Sequence, residues 1–153
     1  MTRRELFGSF SKKKQIIKAL YPPYIKEDED FSSCKTCEGF CQQACSYRVI
    51  VLKNSIPTLD FSNNGCSYCD ECAKACEYDV LVLEQKKEIS AKIEINILKC
   101  LSWKNTLCFS CQDPCEYNAI EFLGMFKPKI NDKCVNCGFC LSVCPQVAIE
   151  IKG

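Results

Sequence analysis

Cys134-Val135-Asn136-Cys137-Gly138-Phe139-Cys140-Leu141-Ser142-Val143-Cys144-Pro145 is the stretch that decides the fold. Three cysteines spaced two apart wrap a tight loop whose thiolates converge on three irons of one inorganic iron-sulfur cube, and the fourth, three residues on, points away. Cys66-x2-Cys69-x2-Cys72-x3-Cys76 repeats the spacing without the proline. Two looser copies bring the count to sixteen cysteines: Cys34-x2-Cys37-x3-Cys41-x3-Cys45 and Cys100-x7-Cys108-x2-Cys111-x3-Cys115. The first of these carries one residue too many in Glu38-Gly39-Phe40, where glycine can absorb a bulge. In the second, Leu101 to Leu107, with Trp103 among them, must loop out for Cys100 to reach a cube. An exposed or labile cluster is the expectation there.

Each copy ends in an apolar, strand-like tail: Val49, Ile50 and Leu52; Val80, Leu81 and Leu83; Ala119, Ile120 and Phe122; Ala148, Ile149 and Ile151. Tyr47, Tyr78 and Tyr117 stand two residues after the last cysteine of the first three copies, with Gln146 in the fourth, and read as packing residues over a cluster. Alternating stretches broken by turn formers predict hairpins over 49–61 around Lys53-Asn54-Ser55 and over 121–130 around Gly124. A third is predicted to join Val80–Leu83 with Ile93, Ile95 and Ile97 across the charged Glu84–Glu88. The last cysteines of the copies, Cys45, Cys76, Cys115 and Cys144, are unevenly spaced, with the widest step in the middle. That step divides the chain into two tandem modules of two quartets each, residues 31–88 and 89–153, after an amino-terminal arm and linker over 1–30.

In a protein with two cubes, each quartet gives three thiolates to one cube and the fourth to its neighbour. Tandem pairing then expects Cys66, Cys69, Cys72 and Cys45 on one cube, with Cys34, Cys37, Cys41 and Cys76 on the next. In the second module it expects Cys134, Cys137, Cys140 and Cys115, then Cys100, Cys108, Cys111 and Cys144. A nested pairing of first with fourth and second with third quartets stays open. Zinc sites usually combine two Cys-x2-Cys knuckles across a longer loop, and a disulfide scaffold has no need of this repeated spacing. The chain has no histidine, which excludes histidine-ligated haem, Rieske centres, mixed zinc sites and imidazole catalysis. With sixteen cysteines taken as ligands, too few aliphatic residues remain for two independent cores. The expected fold is therefore a small, metal-dominated α+β protein of two bacterial-ferredoxin-like modules, four 4Fe-4S clusters in all, whose folding depends on metal.

The formal charge is +1, but an oxidised cube with its thiolates carries about −2, so four would take the loaded protein to about −7. Against that field stands a basic arm, Arg3, Arg4, Lys12, Lys13, Lys14 and Lys18, followed by the acidic run Glu27-Asp28-Glu29-Asp30. The arm reads either as a solvated tail or as a docking element, with Ser11 capping a short helix over Lys12–Leu20. So short a basic patch beside an acidic run does not predict nucleic-acid binding. Thr2-Arg3-Arg4-Glu5-Leu6-Phe7 looks like a twin-arginine export motif, yet lacks the apolar stretch an export signal needs. No stretch reads as a membrane span, and a cytoplasmic location is expected.

The opening Thr2–Phe7, the turn Tyr21-Pro22-Pro23-Tyr24, the stretch Asp60–Cys69, the long-looped Cys100-x7-Cys108 and Cys111-Gln112-Asp113-Pro114-Cys115-Glu116 together resemble the NapF family, the ferredoxin-type accessory proteins of periplasmic nitrate reductase systems. The likeness covers nearly the whole chain, and the extra residue in the first quartet departs from the family pattern. It implies a cytoplasmic protein that meets the precursor form of the reductase catalytic subunit and assists its maturation, by supplying electrons or helping its iron-sulfur centre to assemble. Two other functions compete: a general electron-transfer subunit serving another redox partner protein, and a structural zinc module. No catalytic constellation is present, and Glu77 and Glu116, each next to a cysteine, read as surface carboxylates. The chain is not expected to be an enzyme.

Overall fold

The computed structural model describes residues 19–26 and 30–153. The basic arm and its expected helix fall almost wholly outside that range.

Two similar halves follow one another, each built from a central hairpin and a pair of cysteine loops, closed by a strand pair in the second half and by a single bridge in the first. In the amino-terminal half, β1 (Ile50–Lys53) and β2 (Ile56–Leu59) form an antiparallel hairpin with Ile50 opposite Leu59. Asn54 and Ser55 connect them, both at positive φ (52° and 67°), the geometry that matches the twist of a two-residue hairpin. In the carboxy-terminal half, β4 (Ile120–Leu123) and β5 (Phe126–Ile130) form the matching hairpin, turning at Gly124 with an irregular register between Glu121 and Leu123. Both hairpins lie where the alternating pattern put them.

The third expected hairpin does not form. Leu81 instead makes an isolated antiparallel bridge to Ile25, and β3 (Lys92–Ile95) pairs with β6 (Ile149–Lys152), Ile93 facing Ile151 and Ile95 facing Ile149. The charged stretch 84–88 is therefore a connection between halves, partly wound as the 3-10 turn Leu83–Gln85. Each half thus closes by joining its first extended segment to its last, so the partner of Ile93 is distant in sequence.

Among the described residues three short helices, α1 (Phe40–Ala44), α2 (Glu71–Lys74) and α3 (Phe139–Ser142), each follow a left-handed residue: Gly39 at φ 76°, Asp70 at 68° and Gly138 at 85°. Each helix carries the third cysteine of its quartet, and Cys41, Cys72 and Cys140 are buried as a result. At the third quartet the helix is replaced by turns around the equally buried Cys111. The core is split accordingly. One cluster gathers Tyr24, Ile25, Val49, Ile50, Leu59 and Leu81 with Cys41 and Cys72. A smaller one holds Ile93, Ile120 and Ile149 with Cys111 and Cys140, and Leu141 and Ile151 pack on both. Among the described residues no helix is long and apolar enough to cross a membrane.

Candidate metal centres

All sixteen cysteines are free thiols. Three small cavities, each of about 20 Å³, are each lined by four of them and otherwise almost wholly by apolar groups. Cys45, Cys66, Cys69 and Cys72 surround one, beside Pro22, Tyr24, Tyr47 and Leu59. A second is walled by Cys115, Cys134, Cys137 and Cys140 with Tyr117, Ile120 and Phe139. The third contains Cys100, Cys108, Cys111 and Cys144 with Ile95, Pro128 and Ile149. In every case the lone cysteine, Cys45, Cys115 or Cys144, comes from the neighbouring quartet of the same half. Cys41 lies close to the remaining three, Cys76, Cys37 and Cys34. Three of the four sets that tandem pairing anticipates thus share a cavity, and none of these three cavities combines quartets in the nested way.

Local backbone geometry explains how these loops turn. Three residues after the last cysteine of each copy stand Arg48, Asp79, Asn118 and Val147, all left-handed with φ between 48° and 54°. In the last three copies the reversal brings an amide one or two residues further on back onto the cysteine just passed. Ala119 N–H donates to Cys115 Sγ at 3.3 Å, Ala148 N–H to Cys144 Sγ at 3.2 Å and Leu81 N–H to Cys76 Sγ at 3.4 Å. Amides aimed at sulfur favour the thiolate. In the first quartet the extra residue is taken up at Gly39, whose N–H reaches Cys37 Sγ at 3.4 Å. A Cβ there would sit 2.7 Å from the movable Leu52 Cδ1, and it is the φ of 76° that favours glycine at this position.

The loop at 101–107 is more ordered than its sequence suggests. Ser102–Lys104 forms a 3-10 turn, and Trp103 Nε1 donates to the Pro128 carbonyl at 3.1 Å, pinning the turn to β5. Cys100 and Cys108 are half-buried, and the exposed cysteine is Cys69. Tyr47 and Tyr117 line cavities as anticipated, whereas Tyr78 is 45 % exposed and lines none of the three.

Burial sets the chemistry. It pushes the Cys72 and Cys111 thiols up to about 12, helped by the cysteines of their own sets, and the Cys41 and Cys66 thiols up to about 11. Cys140 moves furthest in the same direction. Such groups hold their protons at neutral pH unless a cationic core is placed among them. A cube carrying iron supplies that charge, and its sulfides supply acceptors. Ser67 Oγ is the relevant test: it belongs to a residue lining the Cys45 cavity, is buried, and has no partner in the protein. A sulfide in that cavity is an acceptor suited to it. Among the described residues, no three acidic or thiol side chains converge closely enough for one bare ion.

Asp70 adds a polar clamp at the edge of the Cys45 cavity. The buried Tyr24 donates its hydroxyl to Asp70 Oδ1, and Lys86 Nζ reaches the same oxygen at 3.1 Å. The tyrosine contact first, and then the lysine, hold the Asp70 carboxyl below its ordinary range. No signal in the sequence tied these three together.

Comparison with known proteins agrees with this geometry. The 4Fe-4S binding domain family matches residues 128–150, which span the fourth quartet. The ferredoxin-type protein NapF of Escherichia coli strain K12 is 31% identical over 138 residues, covering 86% of this chain and 83% of that protein. Its counterpart in Haemophilus influenzae strain Rd is 32% identical over 164 aligned positions, 98% of this chain and 92% of that protein. The methylamine utilization ferredoxin-type protein MauM of Methylorubrum extorquens is 28% identical over 119 residues, covering 69% of this chain and 54% of that protein.

Proposed function

The chain belongs to the NapF family of ferredoxin-type proteins, and from that premise we propose that it carries electrons on four 4Fe-4S clusters and assists maturation of the catalytic subunit of periplasmic nitrate reductase. The observation that carries this reading is the grouping of sixteen thiols into four sets, each completed by a cysteine from the neighbouring quartet of its half. Two tandem ferredoxin-like modules, 31–88 and 89–153, follow from it. All sixteen cysteines serve as cluster ligands.

The clusters supply reversible one-electron chemistry when bound. What the chain contributes is enclosure and tuning. Apolar walls of Ile95, Pro128 and Ile149 keep water from the Cys100 set, and amides of Ala119 and Ala148 stabilise negative charge on Cys115 and Cys144. The role is that of a carrier and accessory rather than of a catalyst, in keeping with the ferredoxin-type relatives. Its partner is the precursor form of the catalytic subunit, met in the cytoplasm, and the positive charge of Arg3, Arg4, Lys12, Lys13, Lys14 and Lys18 suits them to a docking role.

The likeness to MauM favours a second reading, a general electron-transfer protein for a different oxidoreductase. One experiment separates the two. An affinity-tagged copy is recovered anaerobically from cells that make the reductase, and the cytoplasmic precursor of the catalytic subunit is expected to come with it. Absence of that precursor, together with normal reductase activity in a strain lacking this protein, would reject the maturation role and leave the general carrier.

A further inference from the structure

Two of the four cysteine sets meet at the junction of the halves, and the cysteine loops themselves make the contact. Cys66 N–H donates to the Cys137 carbonyl at 2.6 Å. Tyr68 donates its hydroxyl to the Val135 carbonyl at 2.5 Å and accepts from Ile89 N–H at 3.1 Å. Tyr47, which lines the Cys45 cavity, meets Phe139, which lines the Cys115 cavity, edge to face with ring centroids 5.4 Å apart.

The approach tolerates no added atom. A Cβ on Gly65 would lie 2.4 Å from Phe139 N and 2.7 Å from the Cys137 carbonyl oxygen, both backbone atoms that cannot step aside. Gly138 is closed off in the same way by the Phe61 ring, at 2.5 Å. By contrast, the Cys100 cavity is lined by carboxy-terminal residues alone, and Cys41 has Cys34, Cys37, Cys72 and Cys76 of its own half around it. Those two sets are the outer ones.

We propose that the sets form one line for electrons, ordered Cys34 set, Cys45 set, Cys115 set, Cys100 set, and that the Cys66–Cys137 contact, kept short by Gly65, is the crossing between halves. The inference rests on the four-cluster reading above. One electron passes at the crossing: the cube on the donor side is oxidised by one unit, its neighbour is reduced by one, and no proton or bond changes place. A low-potential one-electron donor, dithionite in the test below, fills the line, and a one-electron acceptor at the other end empties it. Gly65 and Tyr68 are positioning residues, since they set the distance and touch no substrate.

The test uses the full-length, iron-loaded protein reduced with dithionite, compared by low-temperature EPR with Gly65→Ala and Tyr68→Phe, iron and sulfide being measured on each. Gly65→Ala is expected to keep its iron while the broad signal of coupled cubes narrows to that of two independent pairs and saturates at lower microwave power. Tyr68→Phe is expected to move in the same direction by a smaller step. Spectra and saturation unchanged from wild type in loaded Gly65→Ala overturn the proposal, and Tyr68→Phe decides alone should Gly65→Ala fail to load. Fewer than four cubes in the wild type would reject the functional reading instead, before the line is tested.

Discussion

At the scale of single residues, the left-handed position after each quartet is the feature most open to intervention. Asn118 occupies it in the third copy with little penalty, because its short polar side chain tolerates that backbone. Val147 occupies it in the fourth at φ 48°, where a β-branched side chain is strained by about 1–2 kcal/mol. Its side chain is 69 % exposed, so little packing offsets that cost. Val147→Asn is therefore expected to stabilise the loaded protein by about 1 kcal/mol. Anaerobic guanidinium titration followed by cluster absorbance checks it; an unchanged or lower midpoint would show that the strain is relieved in some other way. Sequence reading foresaw the bulge at Gly39 because glycine announces such geometry. It was silent on Val147, since valine announces the opposite.

Among the elements, the β3–β6 pair carries an exposed charge cluster whose contribution has a definite pH window. Lys152 Nζ lies 2.5 Å from Glu94 Oε2 and Lys92 Nζ 2.8 Å from Glu94 Oε1. The two lysines, Lys152 foremost, hold the Glu94 carboxyl down to about 2. A carboxyl lowered on folding stabilises the protein above its unfolded value of about 4.3, and that contribution fades as pH falls toward 2. Glu94→Gln should thus be slightly less stable than wild type at pH 6, with the gap closing as pH drops below about 4.3 and also closing in high salt. Thermal melts at pH 6 and pH 4, with and without added salt, measure it; a gap independent of both would mean that packing, not charge, is lost.

The hairpins β1–β2 and β4–β5 were legible because each is local: alternation, a turn, alternation again. Pairing of Ile93 with Ile151 was not, because a strand pattern names no partner. The run Glu84–Glu88 offered a false one by resembling a turn. Grouping of the cysteines was the most legible part of all, since it follows from ligand spacing and the reach of a short loop. The contact between halves left no trace in the pattern, for Gly65 and Gly138 look like ordinary loop glycines until the Phe139 backbone and the Phe61 ring are seen against them.

For the whole molecule, the third cysteine of every quartet sits in the core, beside a modest set of aliphatic and aromatic side chains. An interior built this way loses its centre along with its metal. Anaerobic removal of iron by a strong chelator is expected to abolish the far-UV circular dichroism of the hairpins in step with the visible absorbance of the clusters. An apoprotein that keeps its native spectrum would mean that the apolar residues suffice alone. Because Leu141 and Ile151 pack on both cores, loss from one half should weaken the other.

The borrowing of one cysteine by each cavity from the neighbouring quartet also bears on how the chain is made. On a ribosome the residues appear in order, and domains tend to fold as they emerge. The Cys45 cavity has all its thiols once Cys72 is out, and Cys76 completes the Cys34 set soon afterwards. The Cys115 cavity waits for Cys140 and the Cys100 cavity for Cys144, long after the amino-terminal sets are complete. Cofactor delivery to the amino-terminal half can therefore begin while the thiols of the carboxy-terminal half are still to be made.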